Sequence, residues 1–229
     1  MSWDDWAGPV EIEPSIYAAD FSRLRVQLEA LVGAGVRIFH FDAGDGHFIP
    51  EITIGPVVVA SISPLLRAWG CRLDCHLMVS EPRRHFEAFA EAGGDSVTFH
   101  AEVVDDPAAA IAEARGLGLG VGVAFNPETS VEAAARATAG ADLALCMSIH
   151  PGYSGQEFMP ESIERLEQLR SLLGDEVRIQ VDGGVNAETI EHVRAAGADL
   201  LVVGSAIFWH DDPASEYARL AGLVAEQVS

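Results

Sequence analysis

The sequence predicts a closed (β/α)8 barrel, also called a TIM barrel, and three observations support this fold class. Short apolar segments rich in Val, Ile and Leu alternate with amphipathic helical segments from one end of the chain to the other. Eight such strand–helix units fit into 229 residues, which suits a parallel barrel covered by helices. Neither a Gly-x-Gly-x-x-Gly motif nor a Walker-type loop follows the first strand, as a nucleotide-binding Rossmann fold would require. We therefore expect residues 1–229 to form one domain, with residues 1–10 as an N-terminal extension.

The units follow one another in order. The predicted strands are Ile12–Tyr17, Val36–Asp42, Arg72–Met78, Val97–His100, Gly120–Phe125, Leu143–Ile149, Val177–Val181 and Leu200–Val203. The predicted helices are Phe21–Val32, Pro56–Leu66, Glu81–Ala92, Pro107–Arg115, Ser130–Thr138, Pro160–Leu173, Ala187–Ala196 and Pro213–Gln227. Ser130 is a suitable N-cap. An Ala-Gly pair before four of the strands indicates a repeated turn in which Gly ends the helix, at Gly35, Gly93, Gly140 and Gly197.

Composition and charge exclude several classes of protein. Half of the residues are hydrophobic, so the chain is not mainly disordered. The formal net charge of −21 argues against binding to nucleic acid or to an anionic membrane surface. An anionic substrate would therefore have to be bound by a local feature such as a helix N-terminus or backbone N–H groups.

The cysteine pattern and the apolar segments indicate a soluble cytoplasmic protein. Cys71 and Cys75 are four residues apart in a predicted strand, which places them roughly 13 Å apart, too far for a disulfide. Reduced cysteines favour the cytoplasm. The first ten residues lack the basic segment of a signal peptide, and no apolar run reaches the ~20 residues that cross a bilayer.

Chemistry in such a barrel is located where strands end and βα loops begin. The residues at these ends are Ser15, His40, Asp42, Asp74, His76, His100, Asn126, Met147, His150, Asp182 and Ser205. His40 and Asp42 are two residues apart and share a face of an extended strand. Such a pair alone is more often a hydrogen-bonded polar cluster than a metal site.

Four of these residues could hold one divalent metal ion. Closure of the barrel could bring His40, Asp42, His76 and Asp182 together, and such a cluster is electrostatically poor unless a cation lies within it. Two imidazoles and two carboxylates suit Zn²⁺, Fe²⁺, Mn²⁺ or Co²⁺.

Glycine-rich turns follow the last three strands. They are Pro151 to Gln156, Asp182-Gly183-Gly184 and Gly204-Ser205. Loops at these positions form the usual phosphate site of a TIM barrel, because glycine lets backbone N–H groups approach an anion. Turns of this kind are also common for purely structural reasons.

Several motifs occur in a fixed order along nearly the whole chain. They are Pro14-Ser15-Ile16 with Ala19-Asp20-Phe21, His40-x-Asp42-x-x-Asp45-Gly46-His47-Phe48-x-Pro50 with Ile52–Pro56, Asp74-x-His76-Leu77-Met78-Val79, Met147 before Pro151–Gln156, Val181–Gly184 and Gly204–Phe208. In this order they resemble the ribulose-phosphate 3-epimerase family.

The resemblance implies a metal-dependent barrel of the ribulose-phosphate-binding type that inverts C3 of D-ribulose 5-phosphate and D-xylulose 5-phosphate. It assigns His40, Asp42, His76 and Asp182 to one divalent metal ion per subunit, and Asp42 and Asp182 to acid–base catalysis. The implied substrate-binding residues are Ser15, His76, Met78, Met147, Ser154, Gly155, Gly183, Gly184, Gly204 and Ser205. Members of this family commonly assemble into dimers or hexamers.

The implied mechanism follows from the residue types. Inversion requires a base on one face of C3 and an acid on the other, and two opposed aspartates can exchange these roles. A metal ion would polarise the neighbouring carbonyl and stabilise the enediolate.

Four positions depart from the family pattern. Gly44 replaces a methionine that flanks the reacting carbons, Tyr17 replaces a leucine, His150 replaces Asn or Glu, and Ser154 stands where glycine is usual. Either Tyr17 fills the space at Gly44 and the pentulose substrate is unchanged, or the wider pocket accepts another ketose phosphate such as allulose 6-phosphate.

The residues present disfavour two rival functions. A related decarboxylase or aldolase barrel would carry an Asp-x-Lys-x-x-Asp run, and this chain has no lysine. A sugar-phosphate-binding barrel without catalysis would be expected to lose Asp42 or Asp182, and both are present.

Overall fold

The computed structural model describes Trp3 and residues 6–225, in which strands and helices alternate. The strands are β1 (Glu11–Pro14), β2 (Ile38–Gly44), β3 (Arg72–Met78), β4 (Ser96–His100), β5 (Gly120–Phe125), β6 (Leu143–Met147), β7 (Arg178–Asp182) and β8 (Leu200–Val203). The helices are α1 (Leu24–Gly33), α2 (Pro56–Ala68), α3 (Phe86–Ala92), α4 (Pro107–Gly116), α5 (Val131–Ala137), α6 (Ser162–Leu173), α7 (Ile190–Ala195), α8 (Ser205–Phe208) and α9 (Pro213–Ala225). Short 3-10 turns cover Ile16–Ala18, Phe21–Arg23, Pro82–Arg84 and Ala101–Val103.

The eight strands form one parallel sheet that closes on itself. Each strand pairs with its neighbour in the order β1-β8-β7-β6-β5-β4-β3-β2. A parallel bridge between Ser15 and His40 joins the two ends of this order. The predicted (β/α)8 barrel is confirmed, while the assignment of the whole chain to a single domain stays a prediction.

Most predicted boundaries agree with the structure to within two residues. The helix predicted from Ala187 begins only at Ile190, and the first strand is another exception. It was expected to reach Tyr17, but β1 ends at Pro14 and Tyr17 lies in a 3-10 turn. The pairing of β1 with β8 also stops at Pro14, opposite Val203, so the chain is free to turn there. The predicted helices at Phe21 and Glu81 likewise begin as 3-10 turns. The last two residues of the predicted C-terminal helix, 226 and 227, lie outside the described residues.

Two hydrophobic clusters fill the fold. The larger one lies between the outer faces of the strands and the helices. The smaller one occupies part of the barrel interior and includes Trp3, Ile38, Leu143, Leu145 and Met147. Ile38 shares its face with His40 and Asp42, so polar residues of β2 replace this apolar filling toward the C-terminal end of the barrel.

The turn predictions are also confirmed. The glycines after the repeated alanines have positive φ, for example 108° at Gly35 and 97° at Gly93, as helix-ending glycines do. Ser130 caps α5 by accepting a hydrogen bond from the backbone N–H of Ala133. The three cysteines are buried and free. Among the described residues, no helix combines the length and apolar character needed to cross a membrane.

Candidate active site

The register between β2 and β3 builds the centre of the site. His40 lies beside Asp74 and Asp42 lies beside His76, so two two-residue motifs form a square of four polar side chains. The alternation of side chains along a strand places all four on the same face. Asp182 reaches this square from the end of β7.

The four predicted metal ligands converge. One ligand atom from each of His40, Asp42, His76 and Asp182 lies within 4.8 Å of the others. His40 Nε2 is 3.2 Å from Asp42 Oδ1, and His76 Nδ1 is 3.0 Å from the same oxygen. His76 Nδ1 lies 3.8 Å from Asp182 Oδ2. The sequence-based expectation that these residues come together is confirmed.

This donor set fits a divalent cation. His40 Nε2 is fully buried, and no hydrogen bond of good geometry satisfies it. Two imidazole nitrogens and two carboxylate oxygens are the donors of a zinc-type or iron-type site. His40 Nδ1, on the other side of the ring, lies 3.1 Å from Asp74 Oδ2. A carboxylate in that position orients a metal-binding imidazole.

The two aspartates have opposite electrostatic environments. Burial by itself raises the pKa of Asp42, but the positive charge of His40 and hydrogen bonds from both imidazoles outweigh it and hold that pKa well below its usual value. Ser15 Oγ also donates a hydrogen bond to Asp42 Oδ2, at 2.6 Å. Burial and the negative charge of Asp42 raise the pKa of Asp182. One carboxyl is therefore ionised where the other favours its proton.

The histidines differ in the same way. Burial lowers the pKa of His76, and it lowers the pKa of His100 to about 4. Burial also acts against the charged form of His40, but Asp42 and Asp74 on its two sides raise the pKa of His40 well above its ordinary value. The carboxylates on its two sides therefore favour positive charge at His40, the place where a bound cation would supply it.

Deeper in the barrel, a buried polar network supports Asp74. Ser96 Oγ donates to Asp74 Oδ1 at 2.6 Å, and Gln180 Nε2 donates to Asp74 Oδ2 at 3.0 Å. Gln180 Nε2 also donates to Glu13. Burial and the nearby Asp74 charge raise the pKa of Glu13 well above its ordinary value, which indicates a protonated carboxyl.

A pocket of about 530 Å³ opens above the square. It collects most of the predicted substrate-binding residues with both aspartates. The predicted residues that line it are Ser15, Met78, Met147, Ser154, Gly155, Gly183, Gly184, Gly204 and Ser205, together with Asp42 and Asp182. His76 was also predicted to contact substrate, but it is fully buried beside Asp42 and does not line the pocket. Its role toward substrate stays a prediction.

The glycines after β7 are required by the backbone. Gly184 has φ of 66°, and a Cβ built on it would lie 2.5 Å from the backbone nitrogen of Phe158. Only glycine fits such an approach without moving the chain. Neither arginine nor histidine lines this pocket in the described part of the chain, so backbone N–H groups and serine hydroxyls are left to bind an anion.

Three residues that depart from the family pattern, Gly44, Tyr17 and His150, lie in different surroundings. A Cβ at Gly44 would lie 2.5 Å from Cδ1 of Ile49, so Ile49, and not Tyr17, is the nearest side chain to that position. Tyr17 lines the pocket elsewhere. His150 is exposed and pairs with Glu128 at 3.1 Å, outside the pocket.

Sequence reasoning missed some residues of the site. Ile149, Tyr153 and Val185 line the pocket, and Ile49 lies against Gly44. Glu102, on the turn after β4, lies 3.4 Å from His100. The His100-x-Glu102 spacing after a strand was the available signal for that contact.

Comparison with known proteins places these features in a family. Residues 11–208 match the model of the ribulose-phosphate 3-epimerase family. The chain is 41% identical over 216 residues to a ribulose-phosphate 3-epimerase of Mycobacterium tuberculosis, covering 93% of this chain and 92% of that protein. It is 38% identical over 206 residues to the Escherichia coli protein of the same name, covering 88% and 90% of the two chains.

A solved structure supports the fold. A 3-hexulose-6-phosphate synthase superposes with a TM-score of 0.74 over 94% of this chain and all of that chain, at 20% identity. At that identity the likeness concerns the barrel alone. The family match and the two relatives together establish that the chain belongs to the ribulose-phosphate 3-epimerase family of carbohydrate epimerases.

Proposed function

We propose that this protein interconverts D-ribulose 5-phosphate and D-xylulose 5-phosphate by transferring protons at C3 with Asp42 and Asp182. The observation that carries the proposal is that both carboxyls line one pocket and come together with the imidazoles of His40 and His76, and in the metal-free protein their pKa values are displaced in opposite directions. Two titratable groups pushed apart by their surroundings are the pattern of an acid–base pair. The family membership supplies the substrate class.

Each aspartate acts on one face of C3. In one direction, the ionised Asp42 removes the C3 proton and the protonated Asp182 delivers a proton from the opposite side. In the reverse direction the two exchange roles, as inversion in both directions demands. Ser15, which donates to Asp42, holds that carboxylate in place and favours its ionised form.

His40, Asp42, His76 and Asp182 would hold one divalent ion, of Zn²⁺, Fe²⁺, Mn²⁺ or Co²⁺. When bound, such an ion supplies positive charge opposite the carbonyl oxygen that becomes negative as C3 loses its proton. Asp74 keeps the His40 ring turned so that Nε2 faces the other ligands.

We place the phosphate group at the loops after β6, β7 and β8. Ser154, Gly183, Gly184, Gly204 and Ser205 line that end of the pocket. A Cβ at Gly204 would lie 3.8 Å from Ser154 Oγ, so these loops are in contact with one another. Backbone dipoles of this kind can bind an anion on a protein whose net charge is −21.

The test is proton exchange at C3 in D₂O. Wild-type protein is expected to incorporate deuterium at C3 of ribulose 5-phosphate as xylulose 5-phosphate forms. Asp42→Asn and Asp182→Asn should each lower turnover by about 10²-fold or more, because each removes one proton-transfer group. Asp175→Asn, at a fully exposed carboxylate, is the matched control and should leave turnover unchanged.

Binding of a non-reacting sugar phosphate separates chemistry from recognition. Asp182→Asn should still bind such a ligand through the loops. Turnover that survives either substitution would refute the acid–base assignment. Sugar-phosphate binding without deuterium incorporation by the wild type would instead support the non-catalytic barrel.

Allulose 6-phosphate stays the alternative ketose phosphate, because Gly44 has no side chain at the place where the family carries methionine. Ile49 lies against Gly44 and fills part of that space, which favours the pentulose. The paired assay compares kcat/KM for the pentulose and hexulose phosphates. Turnover of the hexulose alone would overturn the pentulose proposal.

Assembly and location follow the family expectation. A dimer or hexamer and a cytoplasmic location stay predictions. Sedimentation of the purified protein measures the first directly.

A further inference from the structure

A second imidazole lies directly behind the candidate ligand His76. His100, at the end of β4, is fully buried, and its Nε2 lies 2.8 Å from His76 Nε2. The two rings are stacked with centroids 5.0 Å apart. Phe48 covers His100 with its ring centroid at 4.5 Å. The His100 ring is thus fixed by packing as well as by its contact with His76.

A carboxylate follows on the far side of His100. Glu102 Oε2 lies 3.4 Å from His100 Nδ1, and that buried nitrogen makes no hydrogen bond of good geometry within the described residues. The other oxygen of Glu102 accepts hydrogen bonds from the backbone N–H of Asn126, at 2.8 Å, and from Thr129 Oγ1. The loop after β5 therefore holds Glu102 with one oxygen turned toward the imidazole.

The N–H positions of His76 and His100 can be assigned in turn, starting from the nitrogen that would bind the metal. The nitrogen of His76 that faces Asp42 and Asp182 is Nδ1. A metal-binding nitrogen carries no proton, so the N–H of a neutral His76 is on Nε2 and points at His100. His100 Nε2 then accepts, which leaves the N–H of His100 on Nδ1, facing Glu102. This arrangement of tautomers directs each N–H toward an acceptor, with the Glu102 carboxylate facing the last one.

We propose that His100 and Glu102 are positioning residues that fix the tautomer and orientation of His76 as a metal ligand. The inference rests on the proposed function, because it assumes that His76 Nδ1 binds the ion. His40 has a shorter arrangement, in which Asp74 contacts its remote nitrogen directly. A carboxylate, Asp74, therefore contacts His40 directly, whereas the carboxylate of Glu102 acts on His76 through the imidazole of His100.

Metal affinity tests the proposal without relying on activity. Metal-free protein is titrated with Co²⁺ against a chromophoric chelator, and the visible absorption of bound Co²⁺ is recorded. We expect His100→Leu to weaken Co²⁺ binding about 10- to 100-fold and to change the spectrum, as loss of a supporting partner does at other metal sites. We expect Glu102→Ala to weaken it about tenfold. His100→Gln should recover part of the loss, because its amide oxygen can accept from His76.

Two controls distinguish positioning from a purely structural role. Thr129→Val removes a contact of Glu102 with the loop but leaves the carboxylate beside His100, so stability should fall while Co²⁺ affinity stays within twofold. Glu128→Ala, at the exposed carboxylate next to Thr129 in the chain, should change neither the stability nor the Co²⁺ affinity. Equal Co²⁺ affinity in wild type, His100→Leu and Glu102→Ala would overturn the positioning role and leave the epimerase proposal intact. Wild-type protein that binds no Co²⁺ would overturn the metal site and this inference together.

Discussion

The substitution Gly44→Met restores the residue that the family carries, and the structure predicts that it destabilises this protein. A Cβ at position 44 would lie 2.5 Å from Ile49 Cδ1, 3.0 Å from Ile49 Cγ1 and 3.1 Å from the carbonyl oxygen of Glu51. Ile49 is buried, with an exposed fraction of 1%, so it cannot move into solvent without losing its packing. The new side chain therefore overfills a closed space.

The size of the effect follows from overpacking. Inserting a side chain into a filled core costs about 1–3 kcal/mol. For a protein of this length that lowers the melting temperature by roughly 2–12 °C. Ile49→Val removes Cδ1, the atom in closest contact, at a cost of about 0.5–1.5 kcal/mol by itself.

The assay is a double-mutant cycle read by urea unfolding and by melting temperature. In the Ile49→Val background, Gly44→Met should cost less than in the wild type, with a favourable coupling of about 0.5–2 kcal/mol. Relief is incomplete, because Cγ1 and the Glu51 oxygen remain close. Ile179→Val, a buried change of the same chemistry in the outer layer of β7, is the matched control and should be additive with Gly44→Met. A stable Gly44→Met protein, or equal coupling with both valine variants, would show that Ile49 does not occupy the methionine's place.

Two further predictions concern the loops around the pocket. Asp45 accepts backbone hydrogen bonds from His47, Phe48 and Ser80, and these outweigh the opposing effect of partial burial and lower its pKa to about 2. Because its folded pKa lies below the unfolded value, Asp45 stabilises the protein above about pH 4 and loses this contribution as the pH falls toward 2. We expect Asp45→Asn to cost about 1 kcal/mol at pH 7, after allowance for screening of a partly exposed group, and the gap between the variant and the wild type in urea unfolding should narrow at pH 3. A gap that is constant or wider at pH 3 would contradict this assignment. Gly184→Ala should weaken sugar-phosphate binding and lower the free energy of unfolding by about 1–3 kcal/mol, since φ is 66° and the new Cβ meets backbone. Calorimetry measures the binding and melting curves measure the stability, with Gly222→Ala, at an open position, as the control. A loss of binding or stability that is equal in both variants would contradict the prediction.

The sequence determines the parts of this fold that depend on local pattern. β3 and β8 have the predicted bounds, because each is an apolar strand between clear turn signals. The end of β1 could not be read locally, since it depends on where its neighbour β8 stops pairing at Val203. The four-residue helix α8 is too short to show a helical period, and it was missed for that reason.

The candidate site divides in the same way. His40 and Asp42 could be recognised as a pair because two-residue spacing survives in any extended strand. The contact of His100 with His76 depends on the register between β3 and β4, which puts Thr98 beside His76, and no local pattern encodes that register. Ile49 was missed because its position against Gly44 comes from the fold of the loop after β2, where Asp45 bridges back to Ile52 in an isolated antiparallel pair.

The asymmetry between the two aspartates has its origin in the register of the strands. Asp42 stands on β2, where the adjacent strand presents an imidazole beside it and the turn after β1 presents a hydroxyl. Asp182 stands on β7 beside Met147 and Val202, and within the described residues its side chain accepts no hydrogen bond. Asp42 is therefore surrounded by hydrogen-bond donors, whereas Asp182 is flanked along the sheet by apolar residues and faces the negative charge of Asp42. The proposed two-aspartate mechanism requires one ionised and one protonated carboxyl at the start of each turnover, and this register favours that difference in the metal-free protein. Under that proposal, exchanging the groups that flank the aspartates, and not the aspartates themselves, would reverse which carboxyl begins as the base.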